Sequence, residues 1–369
     1  MKTEVEILRE LVAIPSVSSL SNVPVINYAL QFLKDWKIDR YPYTDAAGTA
    51  KLNAVAMTQP AREAELALVC HTDTVPFEPD WNDAVNPRVA KGNLYGRGSC
   101  DVKGFLACVL AAVSQVDVKR LGKPLAIVLT ADEEIGCVGA KYLARKKAVR
   151  SRHTIVGEPT GLHPVRAGKG YALAEIVVHG KEAHSAFPAQ GRSAIFDAAR
   201  VITRLEQVAK KLAAKKNRDF DPPYTTLNAG LIRGGSAKNI IAGECRITVE
   251  WRPVPGQDPG WPAQLIREEL AALSSRDPGF RAELDVKRLD PPFDPSPTRA
   301  LSTLLESLSH RLATTVSFGT EAAHLAGKET VVFGPGDMTV AHKSGEYVPI
   351  SELRQCAAHL RTVIDRLCA

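Results

Sequence analysis

Leu66-Ala-Leu-Val-Cys70-His71-Thr72-Asp73-Thr74-Val75-Pro76 is the stretch on which the fold turns. Its first residues form a short apolar run without polar alternation, as expected for a strand buried on both faces of a parallel sheet. The run ends in His71-Thr72-Asp73, so an imidazole and a carboxylate stand where strand gives way to loop. In open α/β sheets ligands gather beyond the carboxyl ends of the strands. On an extended chain residues two apart point the same way. His71 and Asp73 therefore suit a metal-binding imidazole whose second nitrogen is held by a carboxylate. Such a pair is more often only a loop hydrogen bond. Its meaning rests on how the other strands end.

They end in matching carboxylates. Pro124-Leu-Ala-Ile-Val-Leu129 is a second buried strand, followed by Asp132-Glu133-Glu134, and Thr154-Ile-Val156 is a third, followed by Gly157-Glu158. Three consecutive acids after an apolar run are hard to explain as packing, although a solvated surface is the plainer alternative. Gly96-Arg-Gly-Ser-Cys-Asp101-Val-Lys-Gly104 leads into an apolar helix over Phe105–Val116. The glycines invite a dinucleotide reading, but Asp101 stands where that fingerprint needs its third glycine, and no clear strand precedes it. Asp101 near a helix start is otherwise an ordinary cap.

Collected beyond the strands are His71, Asp73, Asp101, Glu133, Glu134 and Glu158, joined late in the chain by His342. Histidines and carboxylates without cysteine make a hard nitrogen/oxygen site, unlike structural zinc. The acids exceed what one ion needs, which favours two metals sharing a carboxylate. A spare acid beside a ligand, as in Glu133-Glu134, supplies a general base for water. No Gly-x-Ser-x-Gly elbow competes.

The strand–helix alternation predicts an α/β fold, a mostly parallel sheet with helices on both faces. It also places amphipathic helices over 4–13 and Val25–Trp36, and a strand at Asn53–Met57. From Ala167 the pattern becomes β-α-β-β-α-β: strands at 171–179, 225–231, 244–251 and 280–287, with helices over Ser193–Leu212 and 261–273. On the first helix Ile195, Ala199, Ile202, Leu205 and Leu212 form the expected buried stripe. That order is ferredoxin-like. It reads as an inserted α+β lid and dimerisation domain, residues 167–288, between two parts of a catalytic domain, 1–166 and 289–369.

With 369 residues, 45% hydrophobic and 24% charged, the chain is globular and long enough for two domains. Its net charge of +6 is modest, and the Lys210-Lys211, Lys215-Lys216 patch lacks interleaved aromatics, so neither nucleic acid nor membrane is an expected partner. Seven scattered cysteines without Cys-x-x-Cys argue against disulfides. MKTEVEILRE has acids where a secretion signal needs an apolar core, so a cytoplasmic location is expected.

The ordered set His71-Thr-Asp73-Thr-Val-Pro, Gly96-Arg-Gly-Ser-Cys-Asp101-Val-Lys-Gly, Asp132-Glu133-Glu134-Ile-Gly, Gly157-Glu158-Pro-Thr, Gly180-Lys-Glu-Ala-His184-Ser and Ala341-His342 resembles the di-zinc aminoacylase and glutamate-carboxypeptidase-like metallohydrolases. Within that family the motifs look most like those of acetylornithine deacetylases. The resemblance implies two Zn2+, with Co2+ or Mn2+ as substitutes. Asp101 would bridge them, His71 and Glu158 would hold one, and Glu134 and His342 the other. Asp73 would orient His71, and Glu133 would shuttle the proton. A cis peptide between Asp101 and Val102 is implied too.

His184 would reach the partner subunit's site in a homodimer formed through the lid. Asn239 and Arg252 would contact the substrate carboxylate, and Gly319-Thr320-Glu321 would form the substrate-binding turn. The implied substrate is a small N-acyl amino acid, N-acetyl-L-ornithine first, in arginine biosynthesis. Succinyl-diaminopimelate desuccinylase, acetylcitrulline deacetylase and dipeptidase activities are the same-family alternatives; a metal-free binding homologue is the remote one. Glu250 and Ser344-Gly345 depart from the family's usual Asp and Pro-Asp. Neither removes a ligand.

Overall fold

The computed structural model describes residues 1–369. In chain order the first elements are α1 (Glu4–Val12), α2 (Val23–Leu30), β1 (Lys37–Thr44), β2 (Ala50–Met57), β3 (Ala64–His71), β4 (Arg88–Ala90), β5 (Asn93–Tyr95), α3 (Lys103–Ser114), β6 (Leu125–Thr130), α4 (Val138–Lys146), β7 (Ser151–Val156) and β8 (Val165–Gly168). There follow β9 (Tyr171–His179), α5 (Ala194–Ala214), β10 (Thr226–Gly234), β11 (Glu244–Arg252), α6 (Trp261–Arg276) and β12 (Arg281–Asp290). The chain closes with α7 (Ala300–Ser309), β13 (Thr314–Val316), β14 (Glu329–Val332), β15 (Tyr347–Pro349) and α8 (Ile350–Cys368). It divides into two compact units, one of residues 1–166, 295–314 and 320–369, the other of 167–294 and 315–319.

The first unit is built on a mixed sheet of strand order β1-β2-β6-β3-β7-β14-β8-β13. Its centre is parallel: β3 pairs with β6 and β7, and β7 with β14. Towards the edges β1, β2 and β8 pair antiparallel. Alternation decides which side chains meet what. Leu66, Leu68, Cys70, Leu125, Ile127 and Leu129 join the main core with residues of α1, α3 and α8, whereas Ala67 and Ala126 form a smaller cluster with Ala64. Helix α1 starts in a capping box, in which Glu6 N–H donates to Thr3 Oγ1 at 3.3 Å and Thr3 N–H to Glu6 Oε2 at 2.8 Å. A three-stranded sheet, β15-β5-β4, lies apart from the large one.

The second unit carries β9-α5-β10-β11-α6-β12 as a four-stranded antiparallel sheet, order β10-β11-β9-β12. That is the ferredoxin-like arrangement. Its core joins Ile176, Val178, Val201, Leu205, Ile247, Trp251 and Ile266.

Several local expectations shift. The helix expected to reach Trp36 ends at Leu30, and β1 and β8 carry no apolar signal that separates them from loop. Strand β1 has Pro42 and alternating charges, which suit an edge with a single neighbour. On α5 the buried stripe is Ala194, Asp197, Ala198, Val201, Leu205, Val208 and Leu212, while Ile195 and Ala199 face outward. Asp197 is the polar member of that stripe. It is buried because Arg192 pairs with it at 2.5 Å and Arg200 at 2.6 Å, so a polar residue occupies the stripe.

Candidate metal centre

Adjacent parallel strands deliver the site. His71 is the last residue of β3, Asp132-Glu133-Glu134 follows its neighbour β6, and Glu158 lies two residues past its other neighbour β7. Gly157 makes that last turn possible: a Cβ there would stand 2.0 Å from the ring of Phe105. Asp101 sits just before α3, and the Asp101–Val102 peptide is cis, as the resemblance implies. His342, at φ +59°, lies in the loop between β14 and β15.

Two groups of ligand atoms result, His71 with Asp101 and Glu158, and Asp101 with Glu134 and His342, each lying within 4.8 Å of one another. Asp101 belongs to both. Its Oδ1 is 3.1 Å from His71 Nε2 and its Oδ2 is 3.1 Å from His342 Nε2. His342 Nε2 is also 3.1 Å from Glu134 Oε2. Two ligands of a tetrahedral ion at the usual bond lengths lie about 3.3 Å apart, so the spacing suits a pair of cations. The buried Glu134 Oε1 has no hydrogen-bond partner of its own. A buried carboxylate oxygen in that state is costly unless something positive takes it. The residues fit a two-metal site.

Asp73 meets His71 more closely through its main chain than through its carboxylate. His71 Nδ1 faces the main-chain oxygen of Asp73 at 3.1 Å, with the carboxylate farther off at 3.8 Å. The carboxylate is occupied elsewhere. It accepts the N–H groups of Glu133 at 3.0 Å and Glu134 at 3.3 Å, and the Ser18 hydroxyl at 2.7 Å. Asp73 thus orients the ring through its backbone and holds the two glutamates through its side chain.

A second support was not legible beforehand. Asp132 has φ +57°, a conformation that turns the chain sharply before Glu133. Its carboxylate is buried between the Tyr43 hydroxyl and Lys51 Nζ, each at 2.7 Å. Neither Tyr43 nor Lys51 sits in a motif. An isolated lysine on a strand carries no sign that it will be buried.

Electrostatics follow from crowding. Burial pushes the Glu133 carboxyl up to about 7, and raises Glu134 and Glu158 as well, with Asp101 and the other acids adding to it. For Asp101 burial acts in the same sense, but hydrogen bonds from His342 and His71 outweigh it and hold that carboxyl well below its ordinary range. The Asp101 and Glu134 carboxylates raise His342 to about 10; His71 is raised too, burial being overcome by Asp101.

Thr320 Oγ1 accepts Ala322 N–H at 3.2 Å, and Glu321 beside it is 1% exposed. Burial raises Glu321 to about 8; neither of its oxygens makes a hydrogen bond of good geometry, although the Thr130 hydroxyl favours its charge. In the second unit an irregular ladder continues past β9 and β11. Ser185 N–H donates to Asn239 O at 3.0 Å and His184 bridges to Ile240, so His184 and Asn239 sit on neighbouring exposed loops. Arg252 is half-buried at the opposite end of β11, its guanidinium 4.5 Å from the ring of Tyr171 and 3.8 Å from Glu250. Gly319 belongs to this unit and Thr320 to the first.

Fold and site together define a metal-dependent hydrolase. The family model for peptidase family M20/M25/M40 matches residues 67–366, and the chain belongs to that family. It is 46% identical over 368 residues to an acetylornithine deacetylase of Myxococcus xanthus, covering 98% of this chain and 96% of the relative. It is 34% identical over 383 residues to the acetylornithine deacetylase of Proteus mirabilis strain HI4320, covering 100% and 97%. Aminopeptidase PepT from Bacillus cereus ATCC 10987 shares the fold, with a TM-score of 0.78 at 22% identity over 99% of this chain and 98% of that one.

Cations and the imidazole protons compete for the same lone pairs. Metal uptake by chelator-treated protein should therefore expel protons. Calorimetric titration at pH 8, in buffers of different ionisation enthalpy, is expected to show net proton release, the proton of His342 included. Apparent affinity should fall as pH falls. Uptake without proton release would contradict the assignment of His71 and His342 as ligands.

Proposed function

We propose that this chain hydrolyses the amide of a small N-acyl amino acid, N-acetyl-L-ornithine in particular, with two divalent ions at the Asp101 centre. Zinc is the metal proposed, with Co2+ or Mn2+ able to substitute. The observation that carries the reading is the pair of ligand triads sharing Asp101, in a chain nearly half identical to a named acetylornithine deacetylase. The reaction would serve arginine biosynthesis in the cytoplasm; no helix here is long and apolar enough to cross a membrane.

His71 and Glu158 are proposed to hold one ion, Glu134 and His342 the other, with Asp101 between them. When bound, such ions polarise the amide carbonyl and make water a stronger nucleophile. Glu133 is the proposed base. It neighbours a ligand without joining either triad, and its carboxyl at about 7 is suited both to accept the water proton and to return it to the leaving amine. Asp73 holds the main chain of Glu133 in place. Cys137 Sγ, 3.2 Å away, hydrogen-bonds Glu133 Oε1 and steadies the carboxylate further.

Glu133→Gln is expected to keep both metals while losing most activity, whereas Glu134→Gln or His342→Ala should lower metal content itself. Elemental analysis beside an assay on N-acetylornithine separates these outcomes. Loss of metal from the Glu133 variant would refute its role as a base.

His184, Asn239 and Arg252 are proposed to bind the substrate, Arg252 through the two carboxylate oxygens. Strand β11 separates Arg252 from the His184–Asn239 loops by about 26 Å. One copy of this unit therefore does not bring all three to a single small molecule, which supports a homodimer in which His184 serves the partner's site and stabilises the tetrahedral oxyanion. The second unit offers a surface for it. Strand β10 is an unpaired edge, and Leu231, Ile232, Ile195 and Phe196 are exposed on β10 and α5. Mixing His184→Ala with Glu133→Gln subunits should restore activity, because each mixed dimer holds one site with both groups intact. Subunit exchange without rescue would confine His184 to its own subunit.

Glu321 is proposed to favour a cationic side chain. Burial disfavours its charged form, and a cationic side chain bound nearby would draw the carboxyl back into that form. Glu321→Gln should then reduce kcat/KM for acetylornithine more than for neutral acetylcitrulline, by roughly tenfold or more, as loss of a charge-assisted partner implies. The same substitution should affect stability with a definite sign. Glu321 is raised from 4.5 to about 8, so its cost to folding is absent below the lower value and fully present above the upper. The variant should melt higher than wild type at pH 9 and equally at pH 4. Equal losses on both substrates would reduce Glu321 to a support of its loop.

A further inference from the structure

Asp101 can serve two ions only if its main chain is held still, and the structure shows what holds it. Glu346, four residues beyond His342, is 1% exposed. Its Oε1 accepts the N–H of Cys100 at 2.9 Å and of Asp101 at 3.1 Å. Its Oε2 pairs with Arg97 Nη1 at 2.5 Å. Its own carbonyl accepts Gly96 N–H at 3.1 Å, and β15, which begins at the next residue, pairs with β5. Arg97 is 4% exposed and reaches a third loop, donating from Nη2 to the Pro76 oxygen at 3.2 Å. The guanidinium also lies over Trp81, 5.0 Å from the ring centre.

One buried ion pair therefore ties together the loops that begin at His71, carry Asp101 and carry His342. We propose that Arg97 and Glu346 are positioning residues for the bridging carboxylate, holding Asp101 so that its two oxygens face different ions. This rests on the two-metal reading above. A carboxylate bound to two successive N–H groups fixes the plane of the peptide just before Asp101, and Arg97 fixes that carboxylate. Neither residue touches the reacting atoms. Their contribution is to metal affinity and coordination geometry, where loss of an outer partner costs about 10–100-fold.

The test uses full-length protein, stripped by chelator and titrated with Zn2+ against a chromophoric competitor and with Co2+ by visible absorption. Wild type is expected to take up two ions. Glu346→Gln keeps the size of the side chain and an acceptor for the N–H groups but discards the charge that Arg97 pairs with. It should bind at least one ion about 10–100-fold more weakly and change the cobalt spectrum, while its metal-free form keeps the wild-type circular dichroism. Arg97→Lys keeps the charge and loses the fork, and should move both readouts the same way by less. Should the first variant not fold, the second decides. Unchanged affinities with superimposable cobalt spectra would overturn the proposal, even if stability fell, because a merely structural pair lowers melting alone. Fewer than two ions in wild type would overturn the two-metal reading, and the proposal with it.

Discussion

Negative charge gathered in one place is the constraint on which the rest of this structure depends. Asp101, Glu158 and Glu321 are buried, with Glu133 and Glu134 largely so, around two imidazoles. Carboxylates brought out of water this close together repel one another and resist ionisation, which is why burial raises all but one of them. Asp101 is the exception because both imidazoles are hydrogen-bonded to it. The same carboxylates favour the charged form of both imidazoles. Divalent cations held by the two triads would offset the remaining negative charge.

The fold makes such crowding tolerable by building the surroundings rigidly. The parallel centre of the sheet brings three strand ends side by side, and the loops beyond them are fixed by buried polar groups that do not join the ligand set. Asp73 holds the Glu133–Glu134 main chain, Lys51 and Tyr43 hold Asp132 in its unusual conformation, and Arg97 with Glu346 holds Asp101. Each is a charged or hydroxylic side chain tied to a partner far along the chain, and such buried polar bonds help to specify one structure, although Arg97 Nε is left without a partner. Removing one partner leaves an uncompensated charge beside the site.

Sequence reading reached the strands and their acidic ends because both are local signals: an apolar run, then polar residues of the right kind. His71, Asp101, Glu134, Glu158 and His342 could be collected before any fold was known for that reason. It failed where the cause lies far along the chain. Strand β1 is exposed and proline-containing, so nothing in its composition separates it from loop. The stripe on α5 includes a buried Asp197 that two arginines neutralise. Lys51, Arg97 and Glu346 look like surface charges until their partners, tens to hundreds of residues away, are known. The Asp73 side chain is bonded to the Glu133–Glu134 segment sixty residues on, while its main-chain oxygen meets the neighbouring ring.

Asp101 belongs to both candidate ligand triads, so it would stand between two cations. Anomalous diffraction at the zinc absorption edge from crystals grown with zinc tests it most directly. Two peaks about 3.5–4 Å apart are expected, one reached by His71 and Glu158, the other by Glu134 and His342, with one Asp101 oxygen directed at each. A single peak at full zinc occupancy, or two peaks of which Asp101 touches only one, would contradict it.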